Sequence, residues 1–146
     1  MNIKPKYFLY ARKSTEDDDK QVMSIEAQLF ELREFARKEN LEIVETFQES
    51  KSAKTPGREI FNKMMAKIES MENVGILAWH PDRLARNSVD GGRIIYLVDQ
   101  KKITSLRFPT FWLCKTVNSV ISALFFNNFV GSSSYDKLSL SGTKTA

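Results

Sequence analysis

The chain has 146 residues, of which 42% are apolar and 27% charged, with a formal net charge of +4. That size suits one domain whose core needs neither a disulfide nor a metal, and it leaves little room for a second domain. One cysteine, Cys114, excludes an internal disulfide, and one histidine, His80, leaves no Cys/His set for structural zinc; both suit a reducing cytoplasm. The small basic excess permits a polyanionic partner without demanding one. No apolar signal core follows the first residues, and the longest mostly apolar stretch, 117–130, is too short for a bilayer and is interrupted by Asn127 and Asn128. A membrane partner is therefore not expected.

In chain order, residues 6–11 are short and apolar-aromatic and predict a buried strand. Residues 12–23 are polar and acidic and predict a loop. Residues 24–40 predict a helix, capped by Ser24, with Ile25, Leu29, Leu32 and Ala36 at helical spacing. A second strand is predicted over 41–47, a polar loop over 48–57, and a second helix over 58–71 with Phe61, Met64, Met65 and Ile68 inward. Residues 74–79 are apolar enough for a central strand. A charged loop follows over 80–87, then a third helix over 88–101 with Ile94, Ile95, Leu97 and Val98 inward, then a fourth strand over 103–108. Strands alternating with helices at this spacing predict an α/β domain of three layers, with a mostly parallel sheet of four or five strands between helices. Function in such sheets sits beyond the C-terminal strand ends, so the loops 12–23, 48–57 and 80–87 are expected to converge on one crevice.

Those loops carry one hydroxyl and several guanidiniums. The first strand runs out through Tyr10-Ala11-Arg12-Lys13-Ser14, the third through His80-Pro81-Asp82-Arg83-Leu84-Ala85-Arg86, and Arg58 opens the second helix. Phosphoryl transfer needs this mixture. Negative charge spreads over the non-bridging oxygens in the transition state, and fixed cationic forks stabilise it as it develops. Arginine stays charged and can grip two oxygens together. Nearby cations also lower the cost of a serine alkoxide. Asp82 is suited to orient an arginine or donate a proton. The acidic run Glu16-Asp17-Asp18-Asp19 reads as a solvated loop rather than a metal site.

Each residue also has a plainer reading. Ser14 can be a loop or capping serine, Arg83 and Arg86 a solvated face, Arg58 a first-turn helix residue, and Gln28 ordinary helix surface. Tyr10 can be core, His80 a residue that positions its loop, and Trp79, Trp112, Phe125 and Phe126 core or interface groups. Taken from the residues alone, the chemistry extends only to phosphoryl transfer or anion binding at these loops.

Tyr10-Ala11-Arg12-Lys13-Ser14 closely resembles the first-strand motif of the serine recombinases, the resolvase and invertase family. Asp82-Arg83-Leu84-Ala85-Arg86 resembles their Asp-Arg-Leu-x-Arg signature after the third strand. Ser24-Ile25-Glu26-Ala27-Gln28 is similar to their first-helix entry, with Gln28 at the active-site glutamine, and Gly57-Arg58 resembles a further arginine site. The resemblance covers residues 4–112 and is strongest toward the large serine recombinases of phages and mobile elements. It implies a resolvase-like fold and a nucleophile, Ser14, that attacks a DNA phosphate, forms a 5′-phosphoserine link and releases a 3′-hydroxyl. Strands are then exchanged and rejoined by the reverse attack, without metal or nucleotide cofactor. It implies that Arg12, Arg83 and Arg86 bind the scissile phosphate, that Arg58 supports them, that Gln28 and Asp82 position the arginines or the leaving oxygen, and that Tyr10 backs the site. The implied partners are double-stranded DNA at a specific recombination site and further copies of the chain, a dimer that forms a tetramer in the synaptic complex.

The chain departs from that pattern after residue 112. Family members continue into a long, charged helix leading to a DNA-binding domain. Between 116 and 146 the only charged residues here are Asp136, Lys137 and Lys144. The expected organisation is a catalytic domain over 1–112 and an atypical low-charge tail over 113–146, from a truncated gene or a divergent segment. Two alternatives to an active recombinase follow: a catalytically silent remnant or dimerisation module that keeps the fold, and an unrelated phosphate-binding α/β domain.

Overall fold

The computed structural model describes residues 3–13, 23–50 and 56–109. Eight elements follow in order: β1 (Lys6–Arg12), α1 (Ile25–Glu39), β2 (Glu42–Glu49), α2 (Glu59–Glu69), β3 (Val74–Ala78), α3 (Pro81–Leu84), α4 (Ser88–Asp99) and β4 (Ile103–Arg107). The four strands form one sheet in the order β2-β1-β3-β4, and every pairing is parallel. The α/β architecture and the resolvase-like alternation expected from the sequence are both present, with four strands among the described residues. The tail 113–146, with Trp112 and Cys114, lies outside them.

The strand order dictates the layers. A right-handed crossover from β1 to β2 runs one way along the sheet, while those from β2 to β3 and from β3 to β4 run the other way. Consequently α1 covers one face and α2 and α4 the other. The burial pattern follows. On the α2/α4 face, Phe61, Met64, Met65, Ile68, Ile94 and Leu97 pack against Phe8, Tyr10, Ile76, Ala78 and Leu106. On the α1 face, Leu29, Leu32 and Ala36 pack against Tyr7, Leu9, Ala11 and Leu77. Each of the larger of these side chains contributes roughly 1.5–3 kcal/mol by leaving water. Trp79 packs partly buried beside the smaller cluster.

The helix limits have local causes. Ser24 Oγ accepts from Ala27 N–H at 3.1 Å and starts α1. Asn40, at φ 56, stops it, its N–H returning to the carbonyls of Ala36 and Arg37. Asn87 caps α4 by accepting from Asp90 N–H at 2.9 Å.

Three expectations need correction. The second strand continues to Glu49, two residues past the expected end, because Gln48 and Glu49 pair with Ala11 and Arg12. Arg12 is correspondingly the last residue of β1 rather than the first of a loop. The segment 80–87 is not wholly loop, since α3 forms one turn within it through Ala85 N–H to Pro81 O at 3.0 Å.

One close approach shapes the opposite end of the sheet. A Cβ added to Gly75 would come within 2.4 Å of the Tyr7 ring. Tyr7 pairs with Gly75, which in turn pairs with Ser105, and the Tyr7 hydroxyl meets Ser105 Oγ at 2.7 Å. The ring thus crosses β3 to bridge β1 and β4, and only a glycine leaves it room. Register shifts at Tyr7/Phe8 and Val74/Gly75 flank this crossing.

Candidate active site

The direction of the crossovers changes between β1 and β3, and the C-terminal ends of that strand pair are where α/β sheets form crevices. β1 brings Arg12 to this point, with Ser14 two residues beyond. β3 leads through Trp79 and His80 into α3, which carries Asp82 and Arg83 and is followed by Arg86. Ser14 and the run Glu16–Asp19 lie outside the described residues, as does the side chain of Asp82.

The two segments meet directly. Arg12 is buried, and its Nε donates to the Arg83 carbonyl at 3.1 Å. Arg58 approaches the same turn from the other side, its Nη2 donating to the Leu84 carbonyl at 2.8 Å. A helix leaves its last carbonyls without internal partners. In α3 two of these are taken by guanidiniums from β1 and from the start of α2, so cations close the negative end of the turn. Arg83 is half-buried and Arg86 exposed. His80 contributes its main-chain carbonyl, which accepts from Arg83 N–H at 2.9 Å.

Gln28 is fully buried, which removes the helix-surface reading. Its amide acts on the main chain at the end of β1. Oε1 accepts from Arg12 N–H at 3.3 Å, while Nε2 donates to Arg12 O at 3.0 Å and Met23 O at 3.1 Å. This donor and acceptor pattern fixes the amide orientation, because a flipped group would set donor against donor. Gln28 thereby ties the main chain at the end of β1 to the Met23 carbonyl just before α1.

Beneath this layer lies a buried network centred on Arg58, which is 1% exposed. Its Nη1 donates to the Tyr10 hydroxyl at 2.9 Å and its Nη2 to Asp90 Oδ2 at 2.9 Å. Its buried Nε–H has no hydrogen-bond partner among the described residues, and the guanidinium stacks over Phe61 with Cζ 4.1 Å from the ring centroid. Tyr10 donates to Glu49 Oε1 at 3.2 Å. Burial pushes the Tyr10 phenol well above its ordinary pKa, against the opposing pull of Arg58. The phenol therefore stays protonated and able to donate.

Glu49 and Asp90 are the residues sequence reasoning missed. Arg58 stands at the α2 cap position and supplies no side-chain cap. Glu49 replaces it from β2, its carboxylate accepting from Phe61 N–H at 2.8 Å and Ile60 N–H at 3.4 Å. Asp90 is anchored in the first turn of α4, where Asn87 Nδ2 donates to its Oδ2 at 2.8 Å. Arg12, Gln28, Glu49, Arg58 and Asp90 are the buried polar side chains among the described residues, and all five lie at the C-terminal edge of the sheet. The two cations and two anions balance, which is how ions persist in an interior. Its place in the first turn of a helix is the only sequence signal for Asp90. Glu49 gave none beyond its place at a strand end.

A cavity of about 510 Å³ lies at the other end of the sheet, lined by residues including Lys4, Tyr7, Glu39 and Glu42. None of the described candidate site residues, Tyr10, Arg12, Gln28, Arg58, Arg83 and Arg86, lines it. It adjoins the C-terminus of α1, whose partial negative charge and acidic neighbours disfavour a phosphate. Among the described residues no group of three or more His, Cys, Asp or Glu side chains could hold a metal, and no helix is long and apolar enough to cross a membrane.

The resolvase N-terminal domain family matches residues 7–110. No curated protein sequence matches the chain. Among solved structures, the C-terminal catalytic domain of ISC1926 TnpA, an IS607-like serine recombinase, is 19% identical, with a TM-score of 0.59 and 96% of this chain and 97% of that one covered. The N-terminal catalytic domain of TP901-1 integrase is 18% identical, with a TM-score of 0.58, covering 96% and 95%. A resolvase family site-specific recombinase from Streptococcus pneumoniae is 23% identical, with a TM-score of 0.57, covering 97% and 92%. These structural likenesses bear on the fold, and the family match, spanning most of the sequence, bears on descent. The chain belongs to the resolvase family, and residues 7–110 carry the N-terminal domain typical of serine recombinases.

Proposed function

We propose that this chain is a site-specific DNA recombinase catalytic domain in which Ser14 attacks a DNA phosphate. The Ser14 Oγ–phosphorus bond forms as the bond from phosphorus to the 3′ oxygen breaks, and the 3′ oxygen leaves as a hydroxyl. The reverse attack by an exchanged 3′-hydroxyl rejoins the strands. Arg12, Arg83 and Arg86 bind the phosphate and stabilise its developing charge. Arg58, Gln28 and Tyr10 hold those groups in place, and Asp82 orients an arginine or serves the leaving oxygen. The energy of the broken bond is kept in the phosphoserine, so the reaction runs without metal or nucleotide.

One observation carries the reading: the Arg12 to Arg83 hydrogen bond joins the two signature segments at the C-terminal ends of β1 and β3. The buried Gln28 amide supports it by tying the main chain at the end of β1 to the Met23 carbonyl. The catalytic unit is assigned to 1–112 and the tail 113–146 is set apart from it. The partners are duplex DNA at a specific site and further copies of the chain, in a dimer and a synaptic tetramer. With a net charge of only +4, the chain should grip DNA weakly and with strong salt dependence.

The test uses a duplex enriched by the chain itself from a randomised library. Incubation should give a covalent protein–DNA band that resists denaturant and is absent in Ser14→Ala. Binding without such a band at high protein concentration would favour a silent remnant.

A further inference from the structure

We propose that Asp90 is a positioning residue for Arg83 in α3 and for Arg86 just beyond it, acting through Arg58. The proposal rests on the reading that Arg83 and Arg86 serve a phosphate. α3 is a single turn, held internally by Ala85 N–H to Pro81 O at 3.0 Å and Arg83 N–H to His80 O at 2.9 Å. One turn is too short to sustain itself, because helix nucleation is unfavourable before propagation offsets it. Its orientation must come from outside. The Leu84 carbonyl is gripped by Arg58 Nη2, and that same nitrogen is drawn to Asp90 Oδ2 at 2.9 Å.

Asp90 is a fixed point. Asn87 holds it through two hydrogen bonds, Asn87 Nδ2 to Asp90 Oδ2 at 2.8 Å and Asp90 N–H to Asn87 Oδ1 at 2.9 Å. The side chains of Arg58 and Asp90 are 1% and 3% exposed, so water cannot replace either partner. A chain of contacts therefore runs from the first turn of α4 through Asp90 and Arg58 to the last carbonyl of α3. Asp90 need not touch a substrate. It sets the angle of the guanidinium that sets the angle of the turn that carries Arg83 and leads into Arg86. Small displacements of positioned groups have large effects on rate, so this indirect link is functionally significant.

The test uses the full 15N-labelled chain and two readouts, amide hydrogen exchange and a titration with inorganic phosphate. Asp90→Asn keeps the shape and removes the charge. It should speed exchange at Arg83 and Ala85 about tenfold or more while Gln28 in α1 and Met71 beyond α2 stay unchanged, since the loss is local. The phosphate dissociation constant read at Arg83 and Arg86 should rise about tenfold in parallel, and Asp90→Glu should recover part of both effects. Uniform acceleration at all four amides, or none at α3, overturns the proposal.

If Asp90→Asn does not fold, Arg58→Met/Asp90→Leu replaces the ion pair with apolar groups of similar size. The stability of this double variant should return while exchange at Arg83 and Ala85 stays fast; slow exchange there overturns the proposal. Phosphate that leaves Arg83 and Arg86 unmoved in the wild-type chain defeats the phosphate reading alone, because the exchange readout still decides the role of Asp90.

Discussion

The two ends of the sheet are built on different physics. At the C-terminal edge, five polar side chains are buried and tie β1, β2, α1, α2, α3 and α4 together. Toward the N-terminal edge, an aromatic ring crosses a glycine, and nearby ion pairs such as Lys67–Glu45 and Lys102–Glu72 stay in partial contact with water. One end fixes geometry with directional bonds in a low dielectric, and the other closes by shape. Directional bonds cost desolvation and return precision. Among the described residues the buried polar side chains are confined to one edge, and that marks the place where side-chain orientation matters.

The largest effect should come from breaking the polar end at its hub. Arg58→Met leaves Asp90 buried without its cation, and urea denaturation should show a loss of about 3–5 kcal/mol. A loss below 1 kcal/mol would mean that the network is dispensable. Breaking the other end is a matter of volume. Gly75→Ala drives a methyl into the Tyr7 ring and should cost about 1–3 kcal/mol through overpacking.

A third experiment separates the ends by pH. The folded-state pKa of Tyr10 is raised by burial, so the native state keeps a proton that the unfolded chain releases above the ordinary value of 10.0. Stability from this group is therefore complete below pH 10.0 and is lost as pH rises toward the folded-state value. The slope there should approach about 1.4 kcal/mol per pH unit. In Tyr10→Phe this part of the alkaline slope should vanish, whatever the variant's baseline stability. The smallest effect belongs to Lys67→Ala, which removes a pair whose side chains are 47% and 38% exposed and should cost less than about 1 kcal/mol.

This contrast explains what was legible in the sequence. The apolar layers were readable because burial writes a period into the chain. Phe61, Met64, Met65 and Ile68 are all inward, as their spacing predicts. Of the third helix's expected inward residues, Ile94 and Leu97 are fully buried, while Ile95 and Val98 are partly covered. The polar edge writes no period. Gln48 and Glu49 look like loop, yet they extend β2, and Glu49 caps a helix whose own cap position holds Arg58. α3 is shorter than the pattern that would reveal it. Asp90 looks like any acid at a helix start, where solvated examples are common, and its burial depends on Arg58, 32 residues earlier. Tyr7 and Gly75 meet only through strand pairing. Gln28 was singled out through the family resemblance. Its action on the Arg12 main chain, rather than on another side chain, is visible only in three dimensions.

The central claim is that Ser14 becomes bonded to DNA at the edge held by Arg12, Gln28 and Arg58. The most direct measurement is peptide mapping by mass spectrometry of the covalent adduct after nuclease trimming. The account predicts a nucleotide remnant, joined through its 5′ phosphate, on the peptide containing Ser14 and on that residue. A remnant on another side chain, or a 3′-linked one, would contradict it.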